Sequence, residues 1–147
     1  MKYTCEITIN QPREKVVEWF QDPAIVKDWQ PTFIRVEPLS GELGATGSTS
    51  NMVHKRGNGE MTMLETIVDN RLPHSFVATY DMPRPKVHNI LENRFEEVGP
   101  NQTRWIIDCE FQFGLMMSIM SVFMGGAFRK ETEKTMQAFK DFAEKQA

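Results

Sequence analysis

The stretch Thr103-Arg104-Trp105-Ile106-Ile107-Asp108-Cys109-Glu110-Phe111-Gln112-Phe113-Gly114-Leu115-Met116-Met117 decides how this chain folds. Up to Phe113 it alternates: Trp105, Ile107, Cys109, Phe111 and Phe113 fall on one face, Arg104, Asp108, Glu110 and Gln112 on the other. A period of two is the mark of a strand with one buried face. Past Gly114 the alternation stops, and a helical pattern runs over about 117–145. In its second half Phe128, Thr132, Met136, Phe139 and Ala143 form one stripe, flanked by Phe142, at the spacing of an amphipathic helix.

Working back from that hand-over, five more strands are predicted at about 33–39, 48–56, 60–69, 75–82 and 86–98. Their links carry turn chemistry: Gly41, Gly44 and Gly47; Gly57-Asn58-Gly59; Leu72-Pro73; Pro83-Arg84-Pro85; Gly99-Pro100-Asn101. Links this short require antiparallel pairing. At the start of the chain, 2–10 alternates with Tyr3, Cys5, Ile7 and Ile9 on one face. Pro12 then suits the first turn of a helix reaching Phe20, with Val16, Val17 and Phe20 inward. Asp22-Pro23 repeats the start signal, an N-cap carboxylate before a proline, for a second short helix over about 23–29 that Pro31 ends. The order is β-α-α-β6-α, an α+β chain in which a large antiparallel sheet must bury one face with a single long helix. The sheet is expected to curve around that helix and to leave a chamber between them.

Composition narrows the partners. The 147 residues suit one domain, 25% charged and 40% hydrophobic, with a net charge of −3 and basic residues scattered along the chain. No basic stripe of the kind nucleic acid requires is present. The opening residues Met1-Lys2-Tyr3-Thr4-Cys5-Glu6 do not read as a secretory signal, and two cysteines are expected to be reduced, so the reading is cytoplasmic. The longest apolar run, 115–124, is broken by two serines and falls short of the roughly 20 residues that cross a bilayer, so no stable membrane insertion is expected.

Several stretches together resemble the helix-grip fold of the START and birch-pollen-allergen superfamily, SRPBCC. Ile7-Thr8-Ile9-Asn10-Gln11-Pro12-Arg13-Glu14-Lys15-Val16 is similar to that family's opening strand and helix entry, and Asp22-Pro23 with Trp29 to its second helix. Glu37-Pro38-Leu39-Ser40-Gly41 with Gly47-Ser48, Leu72-Pro73, and Arg94-Phe95-Glu96 with Thr103-Arg104-Trp105 resemble its later punctuation. The similarity spans the whole chain and lies nearest the polyketide cyclase/dehydrase-like branch. It implies a curved seven-stranded antiparallel sheet wrapped around a long C-terminal helix. Members carry lipids, sterols, hormones or polyketides, some catalyse cyclisation, and others are co-chaperones or toxins. The motifs sit at strand ends and turns, so they speak to fold and little to chemistry.

The side chains expected to line the chamber are largely apolar. Phe76, Leu91, Phe95, Trp105, Ile107, Phe111 and Phe113 are inward on the sheet, joined by Phe128 from the helix. Ten methionines are many for this length, and Met52, Met63, Met117, Met120 and Met124 would line the chamber or fill an irregular core, since methionine adapts to varied shapes. If Leu91 and Phe95 face in, so do Asn89 and Asn93; Tyr80 shares a face with Phe76, and His54 with Met52. Glu65 joins them if Met63 and Ile67 face in, although Leu64 and Val68 compete for the inside of that strand. Desolvated His54 or Glu65 has the chemistry of an acid or base. Cys5 and Cys109 lie on strands expected to be neighbours and read as small core side chains or, alternatively, as a redox pair.

Known catalytic constellations are missing from the sequence. His54, His74 and His88 have no partners at metal-ligand spacing, and there is no G-x-S-x-G or P-loop. No cofactor or metal is expected. The principal reading is a binder of a small hydrophobic molecule of lipid, polyketide or aromatic type, with 115–124 as a lid jointed at Gly125-Gly126. A cyclase or dehydratase using Asn89, Asn93, Tyr80, His54 or Glu65 is the first alternative. The second is an interaction module or homodimer docking through Ile119, Val122 and Phe123.

Overall fold

A computed structural model describes residues 1–146, and side chains outside 116–124. The elements are β1 (Lys2–Ile9), α1 (Arg13–Phe20), α2 (Val26–Trp29), β2 (Phe33–Ser40), β3 (Thr49–Arg56), β4 (Gly59–Arg71), β5 (Ser75–Pro83), β6 (Lys86–Gly99), β7 (Gln102–Phe113) and α3 (Leu115–Glu144). The seven strands form one curved antiparallel sheet in the order β1-β7-β6-β5-β4-β3-β2. Because β1 and β2 lie at opposite edges, the α1–α2 segment between them must cross the width of the concave face. It thereby closes one end of whatever space the sheet encloses.

The position of α3 is set along β1. Tyr3 Oη meets Thr132 Oγ1 at 2.7 Å and donates to the Phe128 carbonyl at 3.2 Å. Arg129 donates to the Thr4 carbonyl at 2.8 Å, Lys140 to the Thr8 carbonyl at 2.7 Å, and Gln11 Nε2 to the Ala143 carbonyl at 2.9 Å. The helix packs on β1, β7 and α2. Between these elements lies a solid core of Ile9, Val16, Phe95, Trp105, Met136 and Phe139, each at most 2% exposed. The wing of the sheet formed by β2, β3, β4 and β5 curls past α3 without that filling.

One local expectation is corrected and two open points are resolved. The second helix is shorter than the 23–29 expected: Asp22 Oδ1 accepts from the Ala24 N–H at 2.9 Å, so it caps a turn, and α2 holds only Val26–Trp29. The carboxylate spent on that turn is not available to start a helix at Pro23. The inward face of β4 is settled by a bulge between Ile67 and Asp69. Before it Met63, Glu65 and Ile67 face in, with Ile67 3% exposed against 37% for Leu64; after it Asn70 turns in while Val68 is left outside. Finally, Cys5 pairs with Ile107 and Cys109 with Tyr3, so the two buried thiols are diagonal rather than opposite, and both are free.

Candidate functional site

The unfilled half of the molecule is a cavity of about 490 Å³, within the range of roughly 300–1,000 Å³ typical of small-molecule sites. Its sheet wall brings together Met52 and His54 from β3, Met63, Glu65 and Ile67 from β4, and Phe76 and Tyr80 from β5. Asn89, Leu91 and Asn93 continue it on β6, and Trp105, Ile107, Cys109 and Phe111 on β7. Pairing register explains the grouping. Ser50, Glu65, Tyr80, Asn89 and Phe111 are successive partners in one row across five strands, so their side chains emerge on the same face.

Eleven of the expected residues thus reach the cavity: Met52, His54, Met63, Phe76, Tyr80, Asn89, Leu91, Asn93, Trp105, Ile107 and Phe111. Phe95, Phe113 and Phe128 do not. Phe95 points inward as its face requires, but Phe20 packs on it with ring centres 5.0 Å apart and Trp105 stacks at 5.8 Å, so its surroundings are filled. Phe113 stacks on Phe111 at 5.7 Å, and Phe128 lies tilted against both at 4.9 and 5.7 Å, forming an aromatic cluster. Met117, Met120 and Met124 lie outside the described side chains, as does the stretch read as lid or docking surface except for Leu115, which is exposed.

The other wall comes from the helices and loops. Phe20 and Trp29 close one end: Phe20 lies edge-on to Phe76 at 5.6 Å and stacks on Trp29 at 6.2 Å. Val26, Phe33 and Val36 extend this apolar wall, while Thr132 and Thr135 face it from α3. The exposed Gln21, Pro23, Leu43 and Glu131 border the opening. Sequence reasoning assigned none of these to the site. Trp29 and Phe20 were legible as apolar helix residues, yet nothing in their spacing says that the segment bearing them crosses a hollow.

Most polar atoms on the wall are already partnered. Asn93 Oδ1 accepts from Trp105 Nε1 at 3.0 Å, and its Nδ2 donates to the Phe76 carbonyl at 3.4 Å. Asn89 Nδ2 donates to the Glu110 carbonyl at 3.1 Å and reaches Cys109 Sγ at 3.3 Å. His54 Nδ1 meets Thr32 Oγ1 at 3.0 Å, with its ring edge-on to Phe33 at 5.7 Å. Glu65 and Tyr80 are direct cross-strand partners on β4 and β5, and their side chains couple electrostatically. Trp29 Nε1 is buried and has no hydrogen-bond partner among the described residues.

The titratable groups of the wall share one electrostatic tendency. Burial pushes the Glu65 carboxyl above its usual range, with the bond from Tyr80 acting weakly against it. Burial, then the Glu65 charge, lifts the Tyr80 phenol well above its usual value. Burial pulls the His54 imidazole down and pushes the Cys109 thiol up. Each shift favours the uncharged form, as a low-dielectric hollow demands. Among the described residues no group of three or more His, Cys, Asp or Glu side chains could hold a metal ion, and no helix is long and apolar enough to cross a membrane.

No curated protein matches the chain in sequence. Solved structures match its fold closely. A conserved protein from Geobacillus kaustophilus superposes with a TM-score of 0.78 at 13% identity, covering 99% of this chain and 96% of that one. The ZhuI aromatase/cyclase from Streptomyces sp. R1128 does so with a TM-score of 0.75 at 15% identity, covering 98% and 93%. A START superfamily protein from Mycobacterium smegmatis gives 0.75 at 10% identity, covering 99% of each chain. At these identities the likeness establishes the helix-grip fold alone. In sequence, residues 1–144 match the family described as polyketide cyclase / dehydrase and lipid transport, and the chain belongs to that family.

Proposed function

We propose that this protein binds a small, predominantly apolar molecule in the hollow between the sheet and α3, the chain acting as one ligand-binding domain. The observation that carries this reading is the asymmetry of the interior. One half is packed around Trp105, Phe95 and Phe139, while the other keeps about 490 Å³ open behind an aromatic and methionine wall. An apolar lining of that size that stays unfilled costs stability, because atoms facing it lose their dispersion partners. A ligand restores those contacts. The family description, which couples cyclase and dehydrase activity with lipid transport, fits an occupant of this kind.

Native mass spectrometry of freshly purified protein tests the reading, together with a titration of the neutral dye Nile red. A co-purifying apolar compound or saturable dye binding is expected, and Leu91→Trp, which fills the hollow from its wall, should abolish the binding. An empty protein that binds no apolar probe, or Leu91→Trp binding as wild type does, would overturn it.

A second reading rests on the Glu65–Tyr80 pair. A carboxyl favouring its neutral form beside a phenol is suited to exchange a proton with a bound carbonyl compound, the chemistry of a cyclase or dehydratase. Under that reading Glu65→Gln loses turnover while ligand uptake persists; under simple carriage there is no turnover to lose.

A further inference from the structure

Resting on the proposed binding function, we infer that the hollow selects an uncharged amphiphile whose hydroxyl-type head seats at Glu65 and Tyr80, and that it rejects anionic lipids. Two inventories of the wall lead there.

The first is the inventory of hydrogen-bonding capacity. Asn93 is committed to Trp105 and Phe76, and the Asn89 amide nitrogen to Glu110 and Cys109. Asn70 is committed to Gly44 and Leu72, Thr132 to Tyr3, and Thr135 to the Glu131 carbonyl. Glu65 and Tyr80 have each other, but a carboxyl offers two oxygens and about four lone-pair positions, so one bond from a phenol leaves most of that capacity open. Their positions as direct cross-strand partners concentrate it at one spot on a wall whose asparagines and threonines are engaged elsewhere. A guest hydroxyl donates to Glu65 and takes in exchange the single Tyr80 proton, which turns from the carboxyl to the guest; a methylene or an ether cannot make that exchange.

The second is the inventory of charge. One carboxyl, Glu65, faces the cavity, the exposed Glu131 borders its opening, and no lysine or arginine lines it among the described residues. Residues 116–124, Met-Met-Ser-Ile-Met-Ser-Val-Phe-Met, contain no cation either. A buried carboxylate needs a paired cation or several donors to offset its lost hydration. The described polar groups that border the cavity besides the acids, the Gln21 and Gln30 amides and the His54 ring among them, include no lysine or arginine to pair with such a charge. A fatty-acid head seated at this wall would therefore lie dehydrated beside the Glu65 carboxyl with no cation to pair with. Every titratable group of the wall with a resolved shift is itself displaced toward neutrality, so the surroundings stabilise neutral guests and penalise charged ones.

Matched ten-carbon competitors against Nile red on the intact protein at pH 8 test this. Decanol is expected to displace the dye at a concentration at least tenfold below that of decanoate, and decylammonium should bind no tighter than decanol. Glu65→Gln and Tyr80→Phe should each weaken decanol several-fold without weakening decanoate, with near-UV circular dichroism confirming that both variants fold. Decanoate binding as well as decanol, decylammonium binding tighter, or decanol indifferent to both substitutions would each overturn the assignment while leaving the hollow as a binding site. Failure of Nile red and all three competitors would sink the binding function itself.

Discussion

Tyr3→Phe tests how α3 is held. The Tyr3 hydroxyl meets Thr132 Oγ1 at 2.7 Å and the Phe128 carbonyl at 3.2 Å, fastening the middle of the helix to the first strand. Removing it strands neither partner, because Thr132 Oγ1 also donates to the Phe128 carbonyl at 3.3 Å. The ring remains, stacked on Phe111 at 6.2 Å and beneath the Arg129 guanidinium at 5.4 Å. The loss is therefore the net value of a hydrogen bond without an orphaning penalty, about 1 kcal/mol. For a chain of this length that lowers Tm by about 2–4 °C. Urea unfolding followed by fluorescence should show a lower midpoint at unchanged m, since the surface exposed on unfolding is the same. Tyr3→Leu should cost more, because the aromatic contacts go as well. A Tyr3→Phe loss of about 3 kcal/mol or above, or none at all, would refute the view that this hydroxyl is a partnered, replaceable fastener.

Three further outcomes are expected. Asn93→Leu removes the acceptor of the buried Trp105 indole and should destabilise by about 1–3 kcal/mol, with part of that recovered in the Asn93→Leu/Trp105→Phe double variant, measured by a denaturant double-mutant cycle. His54 is held below its ordinary value of 6.5, so its contribution is complete above that pH and is lost as pH falls through the lowered folded value; His54→Gln should flatten this part of the acid limb of stability against pH. Glu65 has the opposite sign: its folded pKa is raised from 4.5, so its contribution is complete below 4.5 and is lost as pH rises through the folded value. Glu65→Gln should consequently be more stable than wild type at pH 8, with the difference shrinking on acidification, as thermal melts at several pH values will record.

Alternation was enough to establish which side chains share a face on every strand but β4, and turn chemistry was enough to count the strands. Neither says how far away the opposite wall stands. Leu91, Asn93 and Phe95 lie on one face of β6, yet Phe95 meets Phe20 and is enclosed while Leu91 borders open space. That difference belongs to the path of α1 and α2 between the two sheet edges, and no local pattern encodes it. The face of β4 was ambiguous for a related reason. A bulge changes the period for one residue, so Leu64 and Val68 looked as eligible as Met63 and Ile67 until the pairing with β5 was known. Trp29 was legible only as a family landmark, and its unpartnered indole nitrogen could not be foreseen from sequence.

Fastening α3 along one border strand divides responsibilities within the interior. The clasp formed by Tyr3, Arg129, Lys140 and Gln11, with the packed side chains beneath it, secures the architecture from the β1 side. Met52, Met63 and Phe76 belong to the other wing, on strands separated from β1 by β6 and β7. Guest preference can therefore be rewritten at these positions, by evolution or in the laboratory, while the chain keeps the scaffold that lets it fold.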